Sequence, residues 1–148
     1  MLDAVCDITQ VPEKFDAMPV GSRATQLWTH RSPSVFLDSF GRPDPNQDPP
    51  CERAEASTVV QALHLMNAPN LHRKVTSDAG RAAALAASGR SPEEIVDELY
   101  LLAYSRFPTD EERGACGKVF QKNGTSRRQA TEDFLWALLN TPEFTFKD

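Results

Sequence analysis

Apolar positions in the last third of the chain recur with helical spacing. Over residues 92–107, Ile95, Val96, Leu99, Tyr100, Leu102 and Ala103 make a broad apolar face, and over 127–140 Ala130, Phe134, Leu135, Ala137, Leu138 and Leu139 do the same. Each segment opens on a shared signature. Ser91-Pro92-Glu93-Glu94, Thr109-Asp110-Glu111-Glu112 and Ser126-Arg127-Arg128-Gln129 set a hydroxyl three residues before Glu or Gln. In a capping box the hydroxyl accepts from the N3 amide while the Glu or Gln reaches back to the N-cap amide. The spacing therefore predicts helices over 92–107, 110–122 and 127–140, with Trp136 mostly buried on the bundle face.

Upstream the same pattern continues as far as residue 57. Thr58-Val59-Val60-Gln61 reads as a fourth box, opening a helix with Val59, Ala62, Leu63 and Met66 on its apolar side. Asn67-Ala68-Pro69-Asn70 breaks it, Leu71 to Val75 form a further turn, and Ser77 caps a helix over 78–88. Gly89 is placed to end that helix in a left-handed conformation. At the other end, Leu2, Val5 and Ile8 mark a short amphipathic helix before Pro12. That helix pattern begins without a cap, which leads to the expectation that Met1 lies inside a longer protein.

Residues 17–56 break the periodicity. They hold Pro19, Pro33, Pro43, Pro45, Pro49 and Pro50, and each proline removes a backbone donor and restricts its predecessor. Within them, residues 23–28 read as an extended piece and 34–40 as one or two helical turns. Leu27, Trp28, Val35, Phe36, Leu37 and Phe40 predict an arm bound to the helices through apolar contacts. The expected fold is all-α: one domain over 1–148, a short helix plus arm over 1–56, and a bundle over 57–148. The bundle should hold five to seven short helices with the mostly irregular proline-rich arm packed against it.

Composition changes this picture little. The 148 residues are 40% hydrophobic and 25% charged with a net charge of −5, as for a globular domain. The basic residues are scattered, which disfavours nucleic acid as a partner, and no apolar run approaches a membrane span.

Candidate chemistry is sparse. Cys6, Cys51 and Cys116 are far apart and form no CxxC, so no zinc knuckle or haem attachment is encoded, and no metal or cofactor is expected. Three isolated cysteines are favoured over a bridge; in an oxidising compartment Cys6 with Cys51 is the pair that would form. His30, His64 and His72 share no i, i+4 spacing, and His64, between Leu63 and Leu65, reads first as a structural histidine. Glu93-Glu94 and Asp110-Glu111-Glu112 sit in first turns, where negative charge complements the helix dipole without any catalytic role. That leaves Arg53, His64 and Asp38 as candidates for a binding cleft, Arg53 being also able to clamp a carboxylate of the arm. No catalytic residue is expected.

Several motifs occur in a fixed order. They are Leu2-Asp3-Ala4-Val5 with Val11-Pro12-Glu13-Lys14-Phe15, Ser39-Phe40-Gly41-Arg42-Pro43-Asp44, Cys51-Glu52-Arg53, residues 61–67, Leu99-Tyr100-Leu101-Leu102, and the closing residues 133–144. In these the chain resembles a planctomycete-specific C-terminal domain of unknown function, found in large proteins with secreted, cytochrome-c-domain-bearing architectures. That family often shows two cysteines near the position of Cys51, where this chain has Pro49-Pro50-Cys51.

The resemblance implies an exported protein, periplasmic or at the cell surface, whose upstream domains precede this segment, and it implies no reaction. The expected role is a non-catalytic interaction or scaffolding module, with the upstream domains of the same chain, other proteins or polysaccharide as partners. The alternative is part of an enzyme acting on complex polysaccharide, its active site shared with upstream domains.

Overall fold

A computed structural model describes residues 1–16, 18–29, 32–40, 42, 69–122 and 124–145. Among these residues there are eight α-helices and no strand: α1 (Leu2–Thr9), α2 (Val35–Ser39), α3 (Pro69–Val75), α4 (Arg81–Ala87), α5 (Pro92–Tyr104), α6 (Asp110–Phe120), α7 (Arg127–Leu139) and α8 (Pro142–Thr145). Six of them reach seven residues or more, so the all-α bundle expected from the periodicity is present. The fourth capping box and its helix over 58–67 lie outside the described residues.

Helix starts follow the capping chemistry. Ser91 Oγ accepts from the Glu94 N–H at 3.2 Å while the Ser91 N–H donates to Glu94 Oε2 at 2.6 Å. Thr109 and Glu112 make the same reciprocal pair at 3.3 and 2.7 Å. At α7 only the forward half forms: Ser126 Oγ accepts from the Gln129 N–H at 3.1 Å, and the Gln129 side chain makes no return bond.

The core gathers around α7, which packs against α3, α4, α5, α6 and α8, while α1 lies across α3, α4 and α5. On α5 the buried residues are Ile95, Val96, Leu99, Tyr100, Ala103 and Tyr104. On α7 they are Ala130, Thr131, Phe134, Leu135, Leu138 and Leu139. Both sets run i, i+1, i+4, i+5, i+8, i+9, a single stripe at the helical repeat. Leu102 and Ala137 fall off that stripe and are exposed, which corrects the broader faces expected from the sequence. Trp136 is on the stripe's edge, covered over most of its surface and packed against the core, as expected.

Three local expectations are corrected. The helix expected over 78–88 begins only at Arg81, because the Gly80 N–H first closes a turn onto the Ser77 carbonyl at 3.0 Å and Gly80 becomes the N-cap. Gly89 is not left-handed; the chain leaves α4 through Ser88 in extended conformation. No left-handed turn is needed there, since the Arg127 guanidinium donates to the Ser88 carbonyl at 3.3 Å and to that of Arg90. Residues 23–28 are not extended throughout: Ala24–Gln26 is a 3-10 turn.

The arm is anchored unevenly. Phe36 and Phe40 stack with ring centroids 4.6 Å apart and pack against the core, as an apolar arm should. Val20 and Trp28, by contrast, are 91% and 78% exposed, and Val35 is exposed as well. Apolar contact therefore explains the hold on α2 but not on the segment around Trp28.

Candidate functional site

Lysine and arginine side chains define most of the polar geometry, and many of them serve backbone carbonyls. The last carbonyls of a helix have no partner within it, and a cation there also suits the dipole. At the end of α1, Arg81 Nε donates to the Ile8 carbonyl at 2.6 Å and Nη2 to that of Asp7 at 3.2 Å. Lys74 Nζ donates to the Val11 carbonyl at 2.9 Å and pairs with Glu13 at 3.1 Å, although its side chain is nearly buried. Gln10, between them, takes the left-handed conformation (φ 58°) that ends α1. Arg128 joins the Thr76 carbonyl at 2.9 Å to Glu132 at 2.7 Å. Burial lowers the pKa of Arg81, whose guanidinium is nonetheless bonded to carbonyls and to Glu98.

A second cluster ties the end of α5 to the chain's last helix. Arg106 Nη1 and Nη2 reach the two oxygens of Glu112 at 2.8 Å each, and Nε and Nη2 reach those of Glu143 at 2.8 Å. The guanidinium carbon also stands 5.4 and 5.5 Å from the ring centres of Tyr100 and Tyr104, within cation–π range. The bonds from Arg106, with those from Thr109, hold the Glu112 carboxyl down at about 2. Tyr104 Oη donates to the Leu138 carbonyl at 3.2 Å and lies 2.7 Å from Thr141 Oγ1; its pKa is raised, chiefly by burial.

Three concavities adjoin this framework. One of about 570 Å³ has mixed charge, with Asp3, Cys6, Asp7, Glu13, Arg23 and Arg81 on its walls. An apolar one of about 340 Å³ lies between α1, α2 and α3, with Leu2, Phe15, Phe36 and Leu71 on its walls and Lys74 and Glu13 at its edge. The third, about 480 Å³, is lined by Met1, Ala4, Asp7, Ile8, Leu102 and Phe144. Met1, Leu101 and Leu102 are exposed, and so is Phe107 at 60%.

Of the binding candidates, Asp38 is an exposed residue of α2 whose Oδ1 accepts from Arg42 Nε at 2.9 Å; Arg42 also donates to the Ser32 carbonyl. Arg53 and His64 lie outside the described residues, as does Cys51. Cys6 and Cys116 carry free thiols, and burial pushes both thiols up, away from the reactive thiolate. Among the described residues no three of His, Cys, Asp and Glu stand close enough to hold a metal ion. Glu93, Glu94, Asp110, Glu111 and Glu112 occupy the first turns of α5 and α6, as their positions in the sequence suggested. Among the described residues no helix is long and apolar enough to cross a membrane. The polar residues that sequence reasoning missed are Asp3, Arg81 and Arg106. Their partners sit in other elements, and no local signature announces them.

Neither the curated proteins nor the solved structures contain a match to this chain. A family match covers residues 16–120, from the arm through α6, and that family is described as PSD1, protein of unknown function (DUF1553). The match spans well over half of the 148 residues, and the chain belongs to this family of proteins of unknown function.

Proposed function

We propose that this domain is a non-catalytic interaction module at the C-terminus of a larger exported protein, and that its partner is the upstream part of the same chain. The planctomycete-specific character and the cytochrome-c-type upstream domains belong to the same proposal and rest on the motif resemblance. The observation that carries the reading is the concavity between α1, α5 and α8. Its walls are Met1, Ala4, Ile8, Leu102 and Phe144, with Asp7 as a charged member. Leu102 is exposed where it lines this concavity, and its neighbour Leu101 is exposed as well. An accessible concavity with mostly apolar walls suits contact with a partner.

The disposition of the charged groups points the same way. Arg81, Arg106, Arg127 and Arg128 are spent on carbonyls and carboxylates that hold helix ends together. Glu94 and Glu112 are bound into capping boxes. An acid or base in catalysis needs a pKa near the working pH and a proton within reach. Glu112, held down at about 2, lacks the first.

The test compares the 148-residue chain with the protein expressed from the full reading frame. The isolated domain should turn over no glycan or ester substrate, and it should bind the upstream part supplied separately. Leu102→Asp should weaken that binding while leaving the helical circular dichroism spectrum unchanged. Turnover by the isolated domain, lost on changing His64 or Arg53, would overturn the reading. Cell fractionation of the full-length protein tests export.

A further inference from the structure

Residues 18–29 include no buried side chain, yet they lie against α1 in a defined 3-10 turn. What holds them there is polar. Asp3, in the first turn of α1, accepts from the Ala24 N–H at 2.6 Å and from the Thr25 N–H at 3.1 Å, one carboxylate oxygen to each. Arg23 donates from Nη1 and Nη2 to the two oxygens of Asp7 at 3.3 and 2.7 Å. Gly21, Ser22 and Arg23 thereby form one wall of the mixed-charge concavity whose other walls carry Asp3, Cys6, Asp7, Glu13 and Arg81.

We propose that residues 18–29 are a strap, clasped to α1 by Asp3 and Asp7, that opens without unfolding the helical core and uncovers the cleft beside Cys6. Segments with few buried apolar contacts open at a lower free energy than the core they rest on. Here the contrast is sharp, because the neighbouring helices are fixed by Val5, Leu99 and Leu135, all essentially inaccessible to solvent. The clasp is also asymmetric. The Arg23–Asp7 pair is solvent-exposed on both sides and is weakened by salt. The Asp3 carboxylate is largely covered and engages backbone amides, so it is the stronger half.

The charged and titratable groups facing the clasp are Arg23 from the strap, Cys6 and Asp7 from α1, Glu13 from the following turn, and Arg81 from α4. Lys74 of α3 stands behind Cys6, paired with Glu13. Arg81 and Lys74 are bonded to α1 and the turn after it, not to the strap, so releasing the strap leaves both in place.

The experiment measures amide hydrogen exchange and peptide-resolved alkylation of Cys6 in the full chain, wild type against Asp3→Ala. A charged hydrogen bond to a backbone amide is strong enough that losing the clasp should speed opening by about tenfold or more. Exchange at Ala24 and Thr25 and alkylation at Cys6 should rise together, while the amides of Leu99 and Leu135 keep their protection. Arg23→Gln should give a smaller rise that disappears at high salt. Unchanged exchange at Ala24 and Thr25 would overturn the proposal, and so would a rise shared equally by Leu99 and Leu135. Should Asp3→Ala fail to fold, wild type alone decides. The strap amides must then open more readily than those of Leu99 and Leu135, and equal opening would refute a separate strap.

Discussion

Arg106 and Glu143 meet through two parallel hydrogen bonds, Nε to Oε1 and Nη2 to Oε2, both 2.8 Å long. Glu143 lies in α8 and Arg106 just beyond the end of α5, so this fork fastens the last helix to the bundle. Planar two-pronged geometry of this kind suits arginine and is lost with lysine. The same guanidinium grips Glu112 at the start of α6, so one side chain joins three elements.

The pH dependence of that junction has a defined sign. The Glu112 carboxyl is held at about 2 by Arg106 and Thr109, below its usual 4.5, so it stays charged in the folded protein where the unfolded chain takes up a proton. The resulting stabilisation is fully present above about 4.5 and is lost as pH falls toward 2. Arg106→Gln should destabilise the protein at neutral pH, and the gap between wild type and variant should narrow as pH drops through that window. Urea unfolding at pH 7, 5, 4 and 3 checks this, and a gap of constant size would show that Glu112 is not the linked group.

Phe134 lies in the middle of the buried stripe of α7, with Tyr100 stacked against it and Phe120 edge-on, each with ring centroids 6.2 Å away. Truncating such a ring removes its transfer free energy and leaves a cavity that neighbours fill only in part, so Phe134→Ala should cost about 3–5 kcal/mol. Trp136→Ala should cost less, since that ring is only partly buried. Denaturant titration of both variants gives the comparison, and equal losses would mean that Trp136 belongs to the core as fully as Phe134.

Tyr104→Phe isolates one buried hydroxyl. Its oxygen reaches the Leu138 carbonyl and Thr141 Oγ1, at the junction of α7 and α8. The Leu138 carbonyl keeps a second donor in Thr141 at 2.8 Å, so it is not orphaned by the change. The loss should therefore stay near the net value of one hydrogen bond, about 0.5–1.5 kcal/mol, in thermal or urea unfolding.

How much of this was legible in the sequence depends on the range of each interaction. The boxes at Ser91 and Thr109 could be read because both partners lie within four residues. The stripe through Ile95, Leu99 and Ala103 could be read from the helical repeat. Leu102 could not be assigned to the outer side, because its exposure depends on which neighbours α5 meets. The tertiary staples left no local trace at all: Arg81 and the Ile8 carbonyl are 73 residues apart, and Tyr104 and Thr141 are 37 apart. Residues 23–28 read as extended for the same reason, since the acceptor that shapes Ala24–Gln26 is Asp3, on another element. As for the candidate site, only Asp38 falls among the described residues, and its bond to Arg42 is an i, i+4 pair that the sequence contained but did not single out.

Gly114 and Gly80 should respond to the same substitution with opposite sign. Gly114 sits inside α6, and a Cβ built there meets nothing within 4 Å. Glycine in a helix interior loses more backbone entropy on folding than alanine does, so Gly114→Ala should stabilise the protein by about 0.5–1 kcal/mol. Gly80 is the N-cap of α4, where a Cβ would stand 3.1 Å from the Ser77 carbonyl oxygen and 3.2 Å from that of Lys74. Both contacts are with backbone, and the Ser77 carbonyl also receives the Gly80 N–H at 3.0 Å, so neither can retreat without disturbing the turn. Gly80→Ala should therefore destabilise the protein, and alanine lacks a side-chain acceptor that might compensate at the N-cap. Thermal unfolding of the two single variants and of the double variant decides the matter. Because the sites lie in α6 and at the start of α4 and share no partner, the double variant should fall at the sum of the singles, and stabilisation by Gly80→Ala would show that the turn before α4 is slack.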